Sequence, residues 1–154
     1  MPNQSDRTDS GSENKPNVDA LSVALDAVSD RWSLHIVRVL ALGAHRYTDM
    51  IRSLGIPRDV LAGRLRRLIE EGVVQPVPGD AGGRPRGYEL TEKGNDLGQV
   101  ILLLKRWGDR YGAPELTRRT ILHVQCGNPF VADVRCRECG HGVAVGDLRS
   151  PEAG

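Results

Sequence analysis

The chain has 154 residues, of which 27% are charged and 39% hydrophobic, enough for one globular domain and a small appendage. This composition excludes a wholly disordered protein and a collagen-like fibre. The longest uninterrupted apolar run, residues 100–104, is too short to span a bilayer. The N-terminal residues lack the basic and apolar regions of a secretory leader. We therefore expect a cytoplasmic protein that does not enter a membrane.

Charge is distributed unevenly along the chain, although the formal net charge is only +1. Residues 1–30 carry six acidic and two basic residues, whereas residues 31–67 carry eight arginines and only two aspartates. Arginine is suited to bidentate contacts with phosphates and guanine edges. Composition alone leaves two interpretations open, a nucleic-acid-binding face or arginines that only solvate helix surfaces.

The sequence divides into a main domain with three smaller parts around it. Residues 1–17 have almost no apolar side chains, so we expect a disordered N-terminal tail. Residues 18–112 show helical periodicity and predict the main domain. Residues 113–148 contain all three cysteines and predict a separate small module. Residues 149–154 predict a flexible tail.

Apolar periodicity over residues 18–54 predicts three helices. The first lies near residues 21–28, and the second, over residues 32–42, is strongly apolar and therefore buried. The third, over residues 47–54, is short and amphipathic. Asp30 is suited to cap the second helix at its N-terminus.

A fourth helix is predicted over about residues 58–71. Pro57 suits its start and Gly72 its end. The two faces of this helix differ in chemistry. Leu61, Leu65, Leu68 and Ile69 form an apolar stripe, whereas Arg58, Arg64, Arg66 and Arg67 lie away from it.

A hairpin and a long helix follow. Residues 73–77 and 88–90 predict two strands around a turn-rich tip at residues 78–87. Thr91 is a suitable N-cap for a helix that runs to about Tyr111. The apolar positions of this helix form a stripe wider than one side of a small domain can cover.

This order of elements predicts a mainly α fold with a small β-hairpin, the winged helix-turn-helix. In that fold the fourth helix enters the major groove and the hairpin wing reaches the flanking backbone or the minor groove. The candidate DNA contacts are Arg58, Arg64, Arg66 and Arg67 on the helix and Arg84 and Arg86 on the wing. The alternative, that the helix arginines only pair with Glu70 and Glu71, does not explain the wing charges.

Three stretches then resemble the HxlR-type transcriptional regulators, relatives of the MarR group. They are DRWSLHIVRVLALGAHRYTDMIRSLGIPRDVLAGRLRRLIEEGVVQPV, RPRGYELTEKGNDL and KRWGDRYG, and the resemblance covers about residues 19–112. It implies a bacterial homodimer that binds double-stranded DNA at a pseudo-palindromic operator, as repressor or activator, and dimerises through its first and last helices. Many members carry a thiol-sensing cysteine near the position of residues 18–19, where this chain has none. A small-molecule effector is left unidentified.

The cysteine-containing module carries one motif twice. His123 and Cys126 precede Gly127, and Cys136 and Cys139 precede Gly140 with the same spacing. Together the two pairs supply the four ligands of a tetrahedral structural zinc site. We therefore predict a zinc-ribbon-like module that binds Zn²⁺ and contains short strands over residues 130–135 and 143–145.

Several alternatives remain open for this module. His141 could replace His123 as the fourth zinc ligand, or Cys136 and Cys139 could form a reactive thiol pair beside basic residues. The whole protein could then be a metal- or thiol-responsive sensor, or a protein-interaction adaptor on a winged-helix scaffold. We do not expect an enzyme, because the chain has no Gly-x-Ser-x-Gly, Walker or Gly-x-Gly-x-x-Gly motif.

Overall fold

A computed structural model describes residues 19–28, 30–43, 45–79, 83–113 and 120–150. The elements, in chain order, are α1 (Ala20–Ala27), α2 (Arg31–Ala41), α3 (Tyr47–Leu54), α4 (Arg58–Glu70), β1 (Val74–Val77), β2 (Gly87–Leu90) and α5 (Glu92–Tyr111). The predicted order of four helices, hairpin and long helix is thereby confirmed. None of the helices in these ranges has the length and apolar character needed to cross a bilayer. The tail predicted at residues 1–17 lies outside the described residues, as do residues 151–154 of the tail predicted at 149–154 and residues 80–82 of the hairpin tip.

Helix α2 is the centre of the main domain. Its buried residues contact α3, α4, α5 and β2. Asp30 caps the helix as predicted, since its carboxylate accepts hydrogen bonds from the Trp32 amide at 2.9 Å and the Ser33 amide at 3.1 Å. The Ser33 hydroxyl donates a third bond to the same carboxylate at 2.7 Å. The buried hydrophobic residues around α2 form one cluster: Ile36, Val37, Val39, Leu40, Met50, Ile56, Leu61, Leu65, Leu68, Val73, Val74 and Ile101.

Helices α3 and α4 form the predicted helix-turn-helix. The turn between them is held by the Tyr47 hydroxyl, which donates a hydrogen bond to the Arg58 carbonyl at 2.6 Å. Leu61, Leu65 and Leu68 of α4 are buried against the core, whereas Ile69, which the sequence placed on the same stripe, is 36% exposed. The apolar stripe therefore fixes one side of α4 against α2 and β1.

The hairpin is a two-stranded antiparallel sheet in which Val74 pairs with Leu90 and Val77 with Gly87. Its second strand is also attached to the connection between α2 and α3, because the Tyr88 amide donates to the His45 carbonyl at 2.8 Å. The wing is thus held beside the helix-turn-helix.

Gly94, in the first turn of α5, has a packing role although glycine has a low helix propensity. A Cβ at this position would lie 2.1 Å from the Val73 carbonyl oxygen. Glycine therefore allows α5 to approach the start of the hairpin closely. Thr91 caps α5 as predicted, accepting from the Gly94 amide at 3.2 Å.

The module after α5 differs from its prediction. Residues 130–135 and 143–145 do not form strands. The described residues there contain two isolated bridges, Leu122 with Pro129 and Arg135 with Gly142, and a short 3-10 helix, Val145–Asp147. Val131 is 68% exposed and Val134 46%, so no packed surface supports a longer ladder.

Arg106 of α5 makes polar contacts with the module. The Arg106 guanidinium donates to the Ala132 carbonyl at 2.7 Å and lies 3.3 Å from the Asp133 carboxylate.

Candidate nucleic-acid interface and metal-ligand pairs

Helix α4 presents two unpaired arginines to solvent. Among the described residues, the Arg58 and Arg66 side chains have neither an ion pair nor a side-chain hydrogen bond, and both residues are exposed. They lie eight positions apart, which separates them by about 12 Å along a helix axis. Ala62 and Gly63 lie between them and are also exposed. This part of the helix therefore combines two free positive charges with a low, unobstructed surface.

The other two predicted helix arginines face the N-terminal helices instead. Arg64 pairs with Asp30, with Nε to Oδ1 at 3.3 Å, and Arg67 donates to the Asp26 carbonyl at 2.6 Å. Both are only partly exposed. The sequence treated the four arginines as one group, but the structure separates a free pair, Arg58 and Arg66, from a pair with contacts inside the protein.

The Asp30 carboxylate is held in its charged form. Its partial burial raises its pKa, but the hydrogen bonds from Ser33, the positive charge of Arg64 and the Trp32 amide outweigh this effect. The pKa of Asp30 consequently lies below its ordinary value. One carboxylate thus both caps α2 and holds an arginine of α4.

The wing arginines are exposed where the structure describes the hairpin. Arg84 and Arg86 lie on the return towards β2, and neither has a side-chain partner among the described residues. His45 is exposed at the base of the wing, with its Nδ1 atom 3.2 Å from the Tyr88 carbonyl oxygen.

The repeated motif of the C-terminal module forms two turns of the same geometry, which we call the first knuckle (residues 121–130) and the second knuckle (residues 134–143). The Gly127 amide donates to the His123 carbonyl at 2.7 Å, and the Gly140 amide donates to the Cys136 carbonyl at 2.8 Å. Gly127 and Gly140 have φ angles of 69° and 72°, which favour glycine. The other backbone hydrogen bonds of the two loops also correspond. Each donor and acceptor in the second knuckle lies thirteen residues after its counterpart in the first.

Each knuckle brings its two candidate ligands together. His123 Nδ1 lies 3.3 Å from Cys126 Sγ. In the second knuckle, the backbone amides of Cys139 and Glu138 and then the Cys139 side chain lower the pKa of the Cys136 thiol. Amide groups that point at a sulfur in this way stabilise a thiolate, the form that binds metal.

The four ligands are not gathered around one point. Among the described residues, no three His, Cys, Asp or Glu side chains lie close enough to hold a metal ion together. The donor types and each half-site fit zinc, but the two halves remain apart. His141 contributes a backbone bond to the second knuckle, because its carbonyl accepts from the Cys136 amide at 2.9 Å.

The sequence did not identify two features of this surface. The inward contacts of Arg64 and Arg67 depend on how α1 and α2 dock against α4, and no local pattern reports that docking. Gly63 could have been noticed, since glycine inside a helix costs about 1 kcal/mol relative to alanine. A Cβ there would meet nothing within 4 Å, so packing inside the described protein does not account for the glycine.

A helix-turn-helix with an attached wing and a free arginine pair on its second helix defines a DNA-binding protein of the winged-helix class. Comparison with known proteins agrees with this class. Residues 27–116 match the model of the HxlR-like helix-turn-helix family. An uncharacterised HTH-type transcriptional regulator of Mycobacterium tuberculosis, Rv3095, is 37% identical over 132 residues, which cover 85% of this chain and 83% of the relative.

Solved structures of candidate transcription factors are also similar. That of PA1607 has a TM-score of 0.76 and 32% identity, and the match covers 90% of this chain and 97% of that one. That of PA1374 from Pseudomonas aeruginosa has a TM-score of 0.59 and 26% identity, covering 86% and 92%. The chain belongs to the HxlR-like helix-turn-helix family, and it is a transcriptional regulator of the winged helix-turn-helix type.

Proposed function

We propose that this regulator binds a specific DNA sequence as a homodimer, with α4 in the major groove and the wing on the flanking backbone or the minor groove. The observation that carries the proposal is the free pair of exposed arginines, Arg58 at the N-terminal end of α4 and Arg66 on the side away from the buried leucines. They lie about 12 Å apart along the helix axis, so both can contact DNA when α4 lies in the major groove. Arg84 and Arg86 would add phosphate contacts from the wing.

The homodimer is supported by an apolar face without a partner within the chain. On α1, Leu21 and Leu25 are exposed, and on α5, Leu104 and Trp107 are exposed to 53% and 65%. Exposed apolar side chains of this size on two helices are typical of an interface between subunits. A two-fold dimer presents two α4 helices to the DNA and therefore reads an inverted repeat.

Selection of bound sequences from a random DNA pool by the full chain tests both parts of the proposal. We expect an inverted repeat whose half-sites are centred about 10 base pairs, or a multiple of that, apart. The double variant Leu104→Glu and Trp107→Glu should be monomeric by light scattering and bind the repeat at least tenfold more weakly. Absence of any enriched sequence would contradict specific DNA binding and favour the adaptor interpretation.

We also propose that the two knuckles bind one zinc ion through His123, Cys126, Cys136 and Cys139. The support is the matched geometry of the two knuckles and the amide groups directed at Cys136. A zinc ion would supply the cross-link that the described contacts between the knuckles do not provide, and a closed four-ligand site would have a structural role.

Native mass spectrometry of the chain purified with zinc present tests this site. We expect one zinc per chain, and none in the double variant Cys136→Ser and Cys139→Ser. Substituting His123 or His141 by Asn separately identifies the fourth ligand, because only one of them should reduce zinc affinity strongly. Metal-free protein in zinc-replete buffer would contradict the site.

A sensor function is the second candidate, favoured by the lowered pKa of the Cys136 thiol and the exposure of Cys126 and Cys139. In that case DNA binding would change on addition of a zinc chelator or an oxidant such as diamide. Under the structural role it would stay the same until the module unfolds. A gel-shift titration with the selected repeat distinguishes the two.

A further inference from the structure

A cavity lies between the main domain and the first knuckle. It has a volume of about 720 Å³ and is bounded by the C-terminal half of α2, by α5 and by residues 121–125 and 130 of the first knuckle. This size is typical of sites for small organic ligands. Neither the DNA-facing side of α4 nor the apolar face of α1 contributes to its lining.

The lining combines an apolar body with positive charge. Its apolar lining includes Ile101, Leu102, Ile121 and Phe130, and Arg38 and Lys105 are its charged residues. No aspartate or glutamate belongs to the described lining. The Lys105 charge is largely engaged, because its ammonium group pairs with Asp109 at 2.5 Å. The free charge of the cavity therefore comes from Arg38.

Arg38 also carries an unsatisfied donor. Its Nε atom is the one buried side-chain nitrogen or oxygen atom without a hydrogen-bond partner in the described part of the chain. A buried donor without an acceptor is destabilising, and more so when the group is charged. An anionic ligand in the cavity would stabilise the charge of the Arg38 guanidinium group with a charge-assisted hydrogen bond.

The wall formed by α5 leaves space for a ligand. Gly98 lines the cavity and is itself buried, yet a Cβ at this position would meet nothing within 4 Å. The space beside Gly98 thus belongs to the cavity and is not filled by neighbouring side chains of the described residues.

We propose that this cavity binds a small amphipathic carboxylate, such as a medium-chain fatty acid. The carboxylate pairs with Arg38, and the apolar body lies between α5 and the first knuckle. Because the site includes both the C-terminal module and α2, an occupant stabilises the contact between them. The proposal concerns ligand binding alone and does not depend on whether α4 binds DNA.

Isothermal titration calorimetry with three probes of one shape tests the site: octanoate, octan-1-ol and octylammonium. Since a hydrogen bond to a charged group contributes about 1.5–3 kcal/mol, octanoate should bind at least tenfold more tightly than the alcohol. Octylammonium should bind most weakly. Equal binding of the three probes, or no octanoate binding at millimolar concentration, would overturn the proposal.

Two variants locate the binding. Arg38→Met keeps an apolar stem and should reduce octanoate binding to the level of the alcohol, while Arg52→Met, which removes an exposed arginine outside the cavity, should leave it unchanged. Gly98→Leu fills the cavity and should weaken octanoate and octan-1-ol binding alike.

Octanoate binding unaffected by Arg38→Met would overturn the proposal even if Gly98→Leu failed to fold. A wild-type chain that does not bind octanoate, and whose subunit association is lost in Gly98→Leu by light scattering, would show that a second copy covers the cavity instead.

Discussion

Asp30 connects helices α2 and α4 of the main domain. It caps α2 through the Trp32 and Ser33 amides and holds Arg64 of α4 at 3.3 Å. A charged cap beside a cation stabilises the helix N-terminus more than a neutral one. The free energy of unfolding should therefore depend on the ionisation of this one carboxyl group.

We expect Asp30→Ala to reduce the free energy of unfolding by about 1–2 kcal/mol, because a cap and an ion pair are both lost. Asp30→Asn keeps a capping oxygen and should cost less. Because folding lowers the pKa of Asp30, its contribution is complete above the unfolded-state pKa of about 4 and is lost as pH falls through the lower folded-state value. Urea unfolding of the three proteins between pH 7 and pH 3 measures this. An Asp30→Asn variant whose stability falls with pH as steeply as the wild type would contradict it.

Single residues also show which features a sequence can predict. The caps Asp30 and Thr91 were predicted because a cap depends on the next three residues alone. The role of Gly94 was missed because it depends on Val73, a neighbour in space that is far away in the chain. Arg64 and Arg67 were grouped with Arg58 and Arg66 for the same reason, since their partners are on other elements.

At the scale of the element, the exposed middle of α4 contains a glycine, which lowers the stability of the helix. Gly63 lies between the free arginines and has no packing contact that excludes a side chain. An exposed glycine there lowers helix stability but leaves the helix surface low enough for base edges to approach. We infer that the closer approach of α4 to DNA compensates for the loss of helix stability at Gly63.

We expect Gly63→Ala to stabilise the protein by about 0.5–1 kcal/mol, since alanine is the better helix former. Gly63→Leu should keep the fold but weaken DNA binding at least tenfold, because its side chain would stand between α4 and the groove. Gly63→Ala is the matched control, because its single methyl group adds little height to the helix surface, and it should leave DNA affinity unchanged. Thermal unfolding and gel-shift titrations measure both properties. Unchanged DNA binding by Gly63→Leu would mean that this surface does not contact the duplex.

The elements of the C-terminal module show where the sequence pattern fails. Alternating apolar residues over 130–135 suggested a strand, but a strand also needs a partner and a surface to cover. Each knuckle turns back after a single bridge, and Val131 and Val134 remain exposed. The helices of the main domain were easier to predict, because their apolar stripes face a core that those same helices form.

At the scale of the whole molecule, the distribution of positive charge agrees with the proposed contact between the helix-turn-helix and DNA. The eight arginines of residues 31–67 lie in the segment that contains the helix-turn-helix, yet only some of them are free to meet DNA. The long helix α5 contacts the core through Ile101 and exposes Trp107 to solvent. Its Arg106 side chain donates a hydrogen bond to the C-terminal module. One helix thus connects the proposed dimer interface, the proposed ligand cavity and the knuckles.

The central claim is that the free arginine pair of α4 binds DNA, and one binding titration tests it most directly. The affinity of the double variant Arg58→Gln and Arg66→Gln for the selected repeat is compared with that of Arg137→Gln and Arg149→Gln, which removes the same charge from exposed positions of the second knuckle and the C-terminal tail. We expect the first variant to bind at least tenfold more weakly with an unchanged melting temperature, and the second to bind like the wild type. Equal affinity of the two variants for the repeat would contradict the claim.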